Sequence, residues 1–502
     1  MRDPRRVRHP GPPGRPDAAG LPARPRVVVV GGGIAGLCAA TGLAERGVEV
    51  DVVERERYLG GRVGGWTEDV DGVGPAAMNR GFHAFFRQYY NLRNLLRRID
   101  GELSMLTPVD DYPLIDGRGR RDTFRGLPQT PPFNAMAFAL RSPTFRLRDL
   151  ARINARAAAP LAAVSVPDIY ERLDGTDAAT FLRDINFPEA ARHLAFEVFS
   201  RSFFALPHEL SAAELATMFH IYFLGSSEGL VFDVAADNFD AALWNPLRAY
   251  LEAGGVRFHT GRRAAAVENG FTVHCETGPP LSADGVVLAT DVAGLRDIVS
   301  ASAHLGDEPW RASVAGLGTA PPFLVYRLWL DRPVAADRPA FLGTGGLAPL
   351  DNVSVLERYE AQAARWAHRT GGSVVELHSY AVTDTSEELP RRLLARLREI
   401  FPETADARIV GERRLMRADC PRFAPGDFAG RPTVATPVAG LALAGDGIRI
   451  DLPVALMERA ATTGFAAANR LLAHFGVAGH PLTTVPTTGR SAALRRLAQR
   501  GG

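Results

Sequence analysis

The sequence predicts an α/β fold in which one parallel-sheet domain is interrupted twice, first by a helical cap and then by a mixed antiparallel sheet. Three observations lead there. A β-branched run, Val27 to Val30, stops abruptly at glycine, as a buried parallel strand does where it turns into a helix. Residues 150–224 read as predominantly helical. Strand patterns then return at 256–260, 271–277 and 285–291, and a second group follows at 321–330, 371–382 and 407–417.

The first element defines the domain. Gly31, Gly33 and Gly36 spell G-x-G-x-x-G after the valine run, a helix-compatible stretch extends from Ile34 to Arg46, and a second strand from Val48 to Val53 delivers Glu54. This is the opening of a Rossmann-like unit. The first glycine permits the turn, the second lets backbone approach a pyrophosphate at the helix N-terminus, and the third lets helix pack on strand. The acid at the strand end suits two ribose hydroxyls. Ala35 and Arg55, in the same two turns, join Gly31, Gly33, Gly36 and Glu54 as candidate cofactor contacts.

Just beyond lies R-x-x-G-G-R-x-G-G, formed by Arg57, Gly60, Gly61, Arg62, Gly64 and Gly65. This cluster resembles the second glycine motif of the flavin-binding amine oxidase and carotenoid desaturase superfamily, and so favours FAD over NAD. Gly61 would let backbone run under the cofactor, and Arg62 would neutralise phosphate charge with planar donors.

Composition narrows the partners. Residues 1–25 carry a net charge of +4 and residues 490–502 another +4, so within a total of +2 the body between them is at −6. No nucleic-acid role is expected of such a body, although basic ends can attract an anionic membrane surface. No uninterrupted apolar run reaches 18 residues, so no transmembrane helix is expected. All 58 basic residues are arginine, which excludes Schiff-base chemistry and the lysine that amine oxidases place near their flavin. Cys38, Cys275 and Cys420 cannot pair completely and show no metal spacing. A reduced cytoplasmic setting without a metal site is expected, and Cys420 could carry a thioether to the flavin.

Along the chain, Phe82, Phe85, Phe86, Tyr89 and Tyr90 form an aromatic cluster after the cofactor loop, with His83 its one imidazole. Phe82, Phe85 and Phe86 are candidate walls for an apolar substrate, and His83 a candidate proton shuttle. Residues 107–149 read as an irregular Pro- and Gly-rich connection, and Glu197 and Arg201 as a helical pair. Segments 193–206 and 214–225 are apolar enough to cap a site and dip into a bilayer interface. Gly440 to Leu472 closes the cofactor domain: a short strand reaches Gly445 and Asp446, and a small-residue helix from Ala455 would stabilise negative charge on a reduced flavin ring. Asp446 would accept from a ribityl hydroxyl. The layout is therefore a disordered basic arm (1–25), cofactor-domain segments (26–90, 231–300, 426–476), a mainly helical cap (91–230), a substrate-domain sheet (301–425) and a basic tail (477–502).

The segments GLAERGVEVDVVERERYLGGRVGGW, MNRGFHAFFRQYYNLRNLLRR, FPEAARHLAFEVFSRSFFALPHELSAAELATMFHIYFLGSSEGLVFD, LDNVSVLERYEAQAARWA and LALAGDGIRIDLPVALMERAATTGFAAANRLL resemble the carotenoid φ-ring synthases, also called isorenieratene synthases. The resemblance runs from about Arg26 to Phe475. It implies FAD as cofactor, with the segment around Val267 against the adenine half, and β-carotene as substrate, its β-ionone rings becoming aromatic φ-rings. Each ring must lose four hydrogens and shift one methyl from its quaternary carbon, so a flavin must act twice and be reoxidised by an acceptor the sequence does not identify. His83 and Glu228 are the candidate proton acceptors. So insoluble a substrate implies peripheral membrane attachment. A carotenoid desaturase or cis-trans isomerase on the same scaffold is the nearest alternative, and a non-enzymatic flavin- or carotenoid-binding protein the alternative of another class.

Overall fold

A computed structural model describes residues 3–496 apart from 110, 132, 146, 193–200, 229, 231, 490, 491, 493 and 494. At its centre the valine run becomes the strand Arg26–Val30, the middle of a five-stranded parallel sheet. Its neighbours come from distant parts of the chain, in the order Arg257–Thr260, Glu49–Glu54, Arg26–Val30, Gly285–Leu288, Leu441–Leu443. Val27, Val28 and Val29 are fully buried, as a strand covered on both faces requires.

Two helices from opposite ends of the chain lie together beside that sheet. Ile34–Ala44 packs along Leu456–His474, and small residues set the separation. A Cβ on Gly464 would stand 2.2 Å from the Ala35 carbonyl oxygen, and one on Gly42 would stand 2.8 Å from Ala468 Cβ. Neither distance is tolerable, so the helix backbones approach more closely than side chains would allow.

The second sheet has seven strands, in the order Ile409–Arg417, Phe323–Leu330, Ser373–Ser379, Asn352–Val355, Phe341–Gly345, Leu114–Asp116, Arg121–Asp122. The pairings are antiparallel except that between Phe341–Gly345 and Leu114–Asp116. The amphipathic helix Glu388–Ile400 covers one face through Leu389, Leu393 and Leu397. A cap of short helices, among them Ala178–Asp184 and Ala212–Phe219, joins the hydrophobic core of the parallel-sheet domain through Phe181, Leu182, Leu215 and Met218.

Two expectations are corrected, and a third falls partly outside the described residues. The N-terminal arm is folded: Val7–His9 pairs antiparallel with Leu482–Thr484, Asp3 is buried, and Asp17 caps the turn at Ala18–Gly20. That pairing draws the C-terminal tail into the structure as well, with Val477 and Val485 buried. Each strand supplies the other's backbone partners across more than 470 residues, which composition cannot reveal. The irregular connection at 107–149 contributes two strands to the large sheet and a helix, Phe133–Arg141. Strands of two and three residues are too short to carry a period. The expected Glu197–Arg201 pair lies partly outside the described residues, and Arg201 is ion-paired to Asp351 at 2.7 Å.

Widening the helix contact should cost stability. Gly464→Val is expected to lower unfolding free energy by about 1–3 kcal/mol in chemical denaturation. Gly430→Ala, where an added Cβ meets nothing within 4 Å, should leave the midpoint unchanged.

Candidate active site

Both glycine motifs, the end of the Glu49–Glu54 strand and the start of the Leu456–His474 helix line one continuous cavity, which runs on into an aromatic chamber. Gly31 makes the first turn at φ +108°, where a Cβ would meet the Ala289 carbonyl oxygen at 2.4 Å. Gly36 stays out of the cavity, because a Cβ there would stand 1.8 Å from the Gly31 oxygen; its part is helix–strand packing. Gly33 and Gly61 face each other without side chains, a Cβ on Gly33 finding nothing nearer than Gly61 Cα at 3.8 Å. Gly33 caps its helix with no side-chain hydrogen bond, and the first-turn residues Ile34 and Ala35 line the cavity. A bare helix N-terminus beside two bare glycines is a cradle for a pyrophosphate.

Glu54 stands at the strand end with its carboxylate oriented by backbone donors, Gly32 N–H at 2.7 Å and Glu56 N–H at 2.8 Å. Burial nevertheless pushes its pKa above the usual carboxylate range. Arg55 lines the same end and pairs with Asp291 at 2.8 Å, whose carboxylate also caps the helix Val292–Ala301. Midway along the cavity Arg62 forms an ion pair with Asp446, so the second glycine motif and the C-terminal motif are tied to each other. Gly445 adopts φ +144° beside them. The C-terminal helix begins at Ala455 without a capping side chain, and Leu456, at φ +52°, and Met457 line the cavity. Its unpaired positive end favours an electron-rich ring there. Phosphate cradle, ribose acid and a helix end at the far side together fit a flavin dinucleotide.

Beyond this cradle the lining becomes aromatic: Phe82, Phe86, Tyr112, Phe124, Phe204, Phe232 and Phe341. Tyr112 stacks on Phe341 at 4.9 Å, and Phe82 lies between Phe341 at 4.1 Å and Phe232 at 5.8 Å. His83 faces the cavity with Nδ1 2.8 Å from the Gly81 carbonyl oxygen. Burial, reinforced by the nearby positive charge of Arg80, pushes its pKa down to about 4. The ring is therefore neutral at pH 7. Since a carbonyl can only accept, Nδ1 holds the proton and Nε2 keeps its lone pair.

Three candidates fall elsewhere. Phe85 is fully buried and meets Phe239 edge-on at 6.3 Å, because it alternates with Phe86 along a strand and only one of two successive side chains can face the chamber. Glu228 lies outside the cavity lining, accepting the Asp3 backbone N–H at 2.8 Å from the folded N-terminal arm. Val267 is also outside it; its backbone N–H donates to Ser302 Oγ at 2.9 Å, and the lining residue of that strand is Ala264.

Other lining residues carried no local signal. Asp351 pairs with Arg201 and accepts the Tyr380 backbone N–H at 2.6 Å; burial pushes its pKa up to about 6 against the pull of that arginine. The Tyr380 hydroxyl bonds Asn352 at 2.9 Å and His378 at 2.9 Å, and His378 reaches Glu376, which holds Arg327 at 2.7 Å. Arg80 pairs with Asp419 at 2.7 Å. Strand alternation in the large sheet could have suggested which side chains share a face, but not which face meets the cavity. Cys420 also lines it, and burial pushes its thiol up to about 11, leaving little thiolate for the thioether considered above.

The sequence matches the model of the flavin containing amine oxidoreductases over residues 34–472. It is 59% identical over 495 residues to a carotenoid phi-ring synthase of Streptomyces griseus, covering 97% of this chain and 95% of that protein. A carotenoid phi-ring synthase of Chlorobaculum tepidum is 28% identical over 92% of this chain and 91% of its own length. Wild-type putrescine oxidase bound to putrescine shares the fold, with a TM-score of 0.66 at 17% identity over 90% of this chain and 99% of its own. The chain belongs to the flavin containing amine oxidoreductase family, in which it is an FAD-dependent oxidoreductase of the carotenoid phi-ring synthase group.

Proposed function

We propose that the chain converts the β-ionone rings of a carotene such as β-carotene into aromatic φ-rings, by repeated two-electron oxidation coupled to a 1,2-methyl shift. The observation that carries this reading is the continuity of the dinucleotide cradle with an aromatic chamber containing a neutral imidazole and a carboxylate. FAD held by the cradle residues Gly33, Gly61, Glu54 and Arg62 would supply a two-electron acceptor for hydride.

The residues of the chamber account for the remainder. A ring that has lost hydride is a cation, and the faces of Phe82, Phe86 and Phe232 stabilise positive charge while excluding water. The Asp351 carboxylate offsets that charge from the wall. The gem-dimethyl carbon has no hydrogen, so one methyl must move with its bonding pair to the neighbouring carbon before a proton can leave. The His83 Nε2 lone pair accepts that proton. Such a cation is a far stronger acid than imidazolium, so a pKa of about 4 does not disqualify the base and keeps it unprotonated when needed. Over one ring, two hydrides and two protons depart and the methyl stays. The electron acceptor that reoxidises the flavin is outside this reading.

No helix among the described residues is long and apolar enough to cross a membrane. Substrate of this kind resides in lipid, so we propose peripheral attachment as the route by which it reaches the chamber.

Expressed in a β-carotene-producing host, the chain should yield pigment lighter by four hydrogens for each aromatised ring, with every labelled ring methyl retained by NMR. A product of unchanged mass would sink the reading. His83→Phe should keep its flavin spectrum yet slow aromatisation by about 10²–10⁴-fold. Turnover should fall as pH drops through about 6, where Asp351 becomes protonated and loses its charge, and Asp351→Asn should flatten that limb in a pH–rate profile.

A further inference from the structure

We infer that the helix Phe133–Arg141 is the segment that lies on an anionic phospholipid bilayer, at the mouth of the aromatic chamber. Phe133, Met136 and Leu140 are 59%, 53% and 65% exposed, and they are three of the four large hydrophobic side chains exposed among the described residues. Spaced i, i+3 and i+7, they occupy one narrow stripe of the helix. The opposite side is anchored: Asn134 donates to the Phe223 carbonyl at 2.7 Å, and Phe138 is buried. The helix is thus held firmly by one face while offering an apolar face outward.

Charge identifies what covers that face. Residues 116–156 hold nine arginines and three aspartates, a net +6 in a chain whose total is +2. Arg125, Arg141, Arg148 and Arg152, within or flanking the helix in sequence, are exposed. Among the described residues, Arg141 reaches the Gly126 carbonyl at 3.2 Å, and Arg148 pairs with Asp149 at 3.8 Å while two-thirds exposed. An apolar stripe rimmed by arginine matches acyl chains bordered by anionic headgroups, whereas a protein partner would have to supply both a greasy groove and a ring of acids. The placement also has a use. Phe138 stacks on Phe124 at 4.6 Å with ring planes 3° apart, and Phe124 lines the chamber, so a single pair of rings separates the lipid-facing helix from the cavity. Describing this as the substrate's entry rests on the proposed carotenoid activity; lipid contact itself does not.

The test is flotation of the full flavin-loaded chain with vesicles of phosphatidylcholine alone or mixed with phosphatidylglycerol. Wild type should float with the anionic vesicles, and more weakly in high salt. The variant F133S/M136S/L140S and the variant R125Q/R141Q/R148Q should each lose at least about tenfold in vesicle affinity. Met136→Trp should show blue-shifted emission only with anionic vesicles. The inference is overturned if both multiple variants float as wild type does, if the Met136→Trp emission is unmoved, or if the serine variant instead converts a sedimenting dimer into a monomer, which would make the stripe a contact between copies. Turnover of detergent-dispersed β-carotene separates the two readings. Aromatic product from wild type and serine variant alike supports both, while helix-dependent flotation without any aromatic product retains the membrane surface and removes the activity.

Discussion

The approach of the helix Ile34–Ala44 to the helix Leu456–His474 is the constraint on which the site depends. The cradle is assembled from strand ends and helix starts drawn from both ends of the chain, and nothing covalent holds them in register. What does is contact between backbones, with Gly464 against Ala35 and Gly42 against Ala468. If those helices separate, the pyrophosphate cradle at Gly33 and the helix start at Met457 move apart, and Arg62 loses Asp446. Close packing of this kind gains its stability from dispersion and from excluded water rather than from any strong single bond. The N-terminal strand and the C-terminal residues paired with it form a second tie between the same ends, through Val7–His9 and Leu482–Thr484.

From that frame the chamber inherits a division of labour. Two arginines at the cofactor end are paired, Arg62 with Asp446 and Arg55 with Asp291, while Glu54 is held by backbone donors alone. At the chamber end the pair is Asp351 with Arg201, surrounded by rings. Burial and positive neighbours depress His83, whereas burial raises Asp351. Each shift favours the neutral form, as a low-dielectric wall dictates. The chamber thereby discourages standing charge while keeping two groups able to respond to a transient one.

How much of this was legible in the sequence follows from the range of the interactions involved. The cofactor half rests on local rules: the valine run, the glycine spacing, Glu54 at the end of the next strand, and the Gly445–Asp446 turn before a helix all refer to neighbours within a few residues. They were legible, and the resemblance to a known family supplied what spacing alone could not, the choice of flavin and the class of substrate. The chamber half rests on long-range pairing. Phe85 and Phe86 are chemically alike, and only the register of their strand with Phe232 and Asp233 decides which one turns inward. Glu228, a candidate proton acceptor by sequence, accepts from Asp3, 225 residues away in an arm whose proline and arginine content suggests disorder. Asp351 sits before a strand with no motif around it, and its place in the wall depends on a seven-stranded order that no window of sequence contains. Val267 stands three residues from the lining residue Ala264, in a strand whose register shifts between Ala264 and Ala266, so alternation alone does not say which residue meets the cavity.

The absence of lysine acquires a meaning once the chamber is seen. A lysine ammonium beside the flavin is compact and strongly hydrated, can lose its proton when buried, and so can serve as a base or nucleophile. Arginine cannot do this, because its guanidinium keeps its charge under all working conditions and disperses it over a plane. Three of the arginines that line the cavity, Arg201, Arg62 and Arg80, are paired to Asp351, Asp446 and Asp419, and a guanidinium is not available for proton transfer. A fixed positive charge facing a cationic ring would oppose its formation; one neutralised by its own carboxylate does not. In the proposed reaction, proton acceptance then falls to the neutral imidazole of His83, and charge compensation to Asp351, which lines the chamber and is paired with Arg201. A chamber that keeps Arg201 and Arg80 paired and presents aromatic faces is suited to a hydrocarbon.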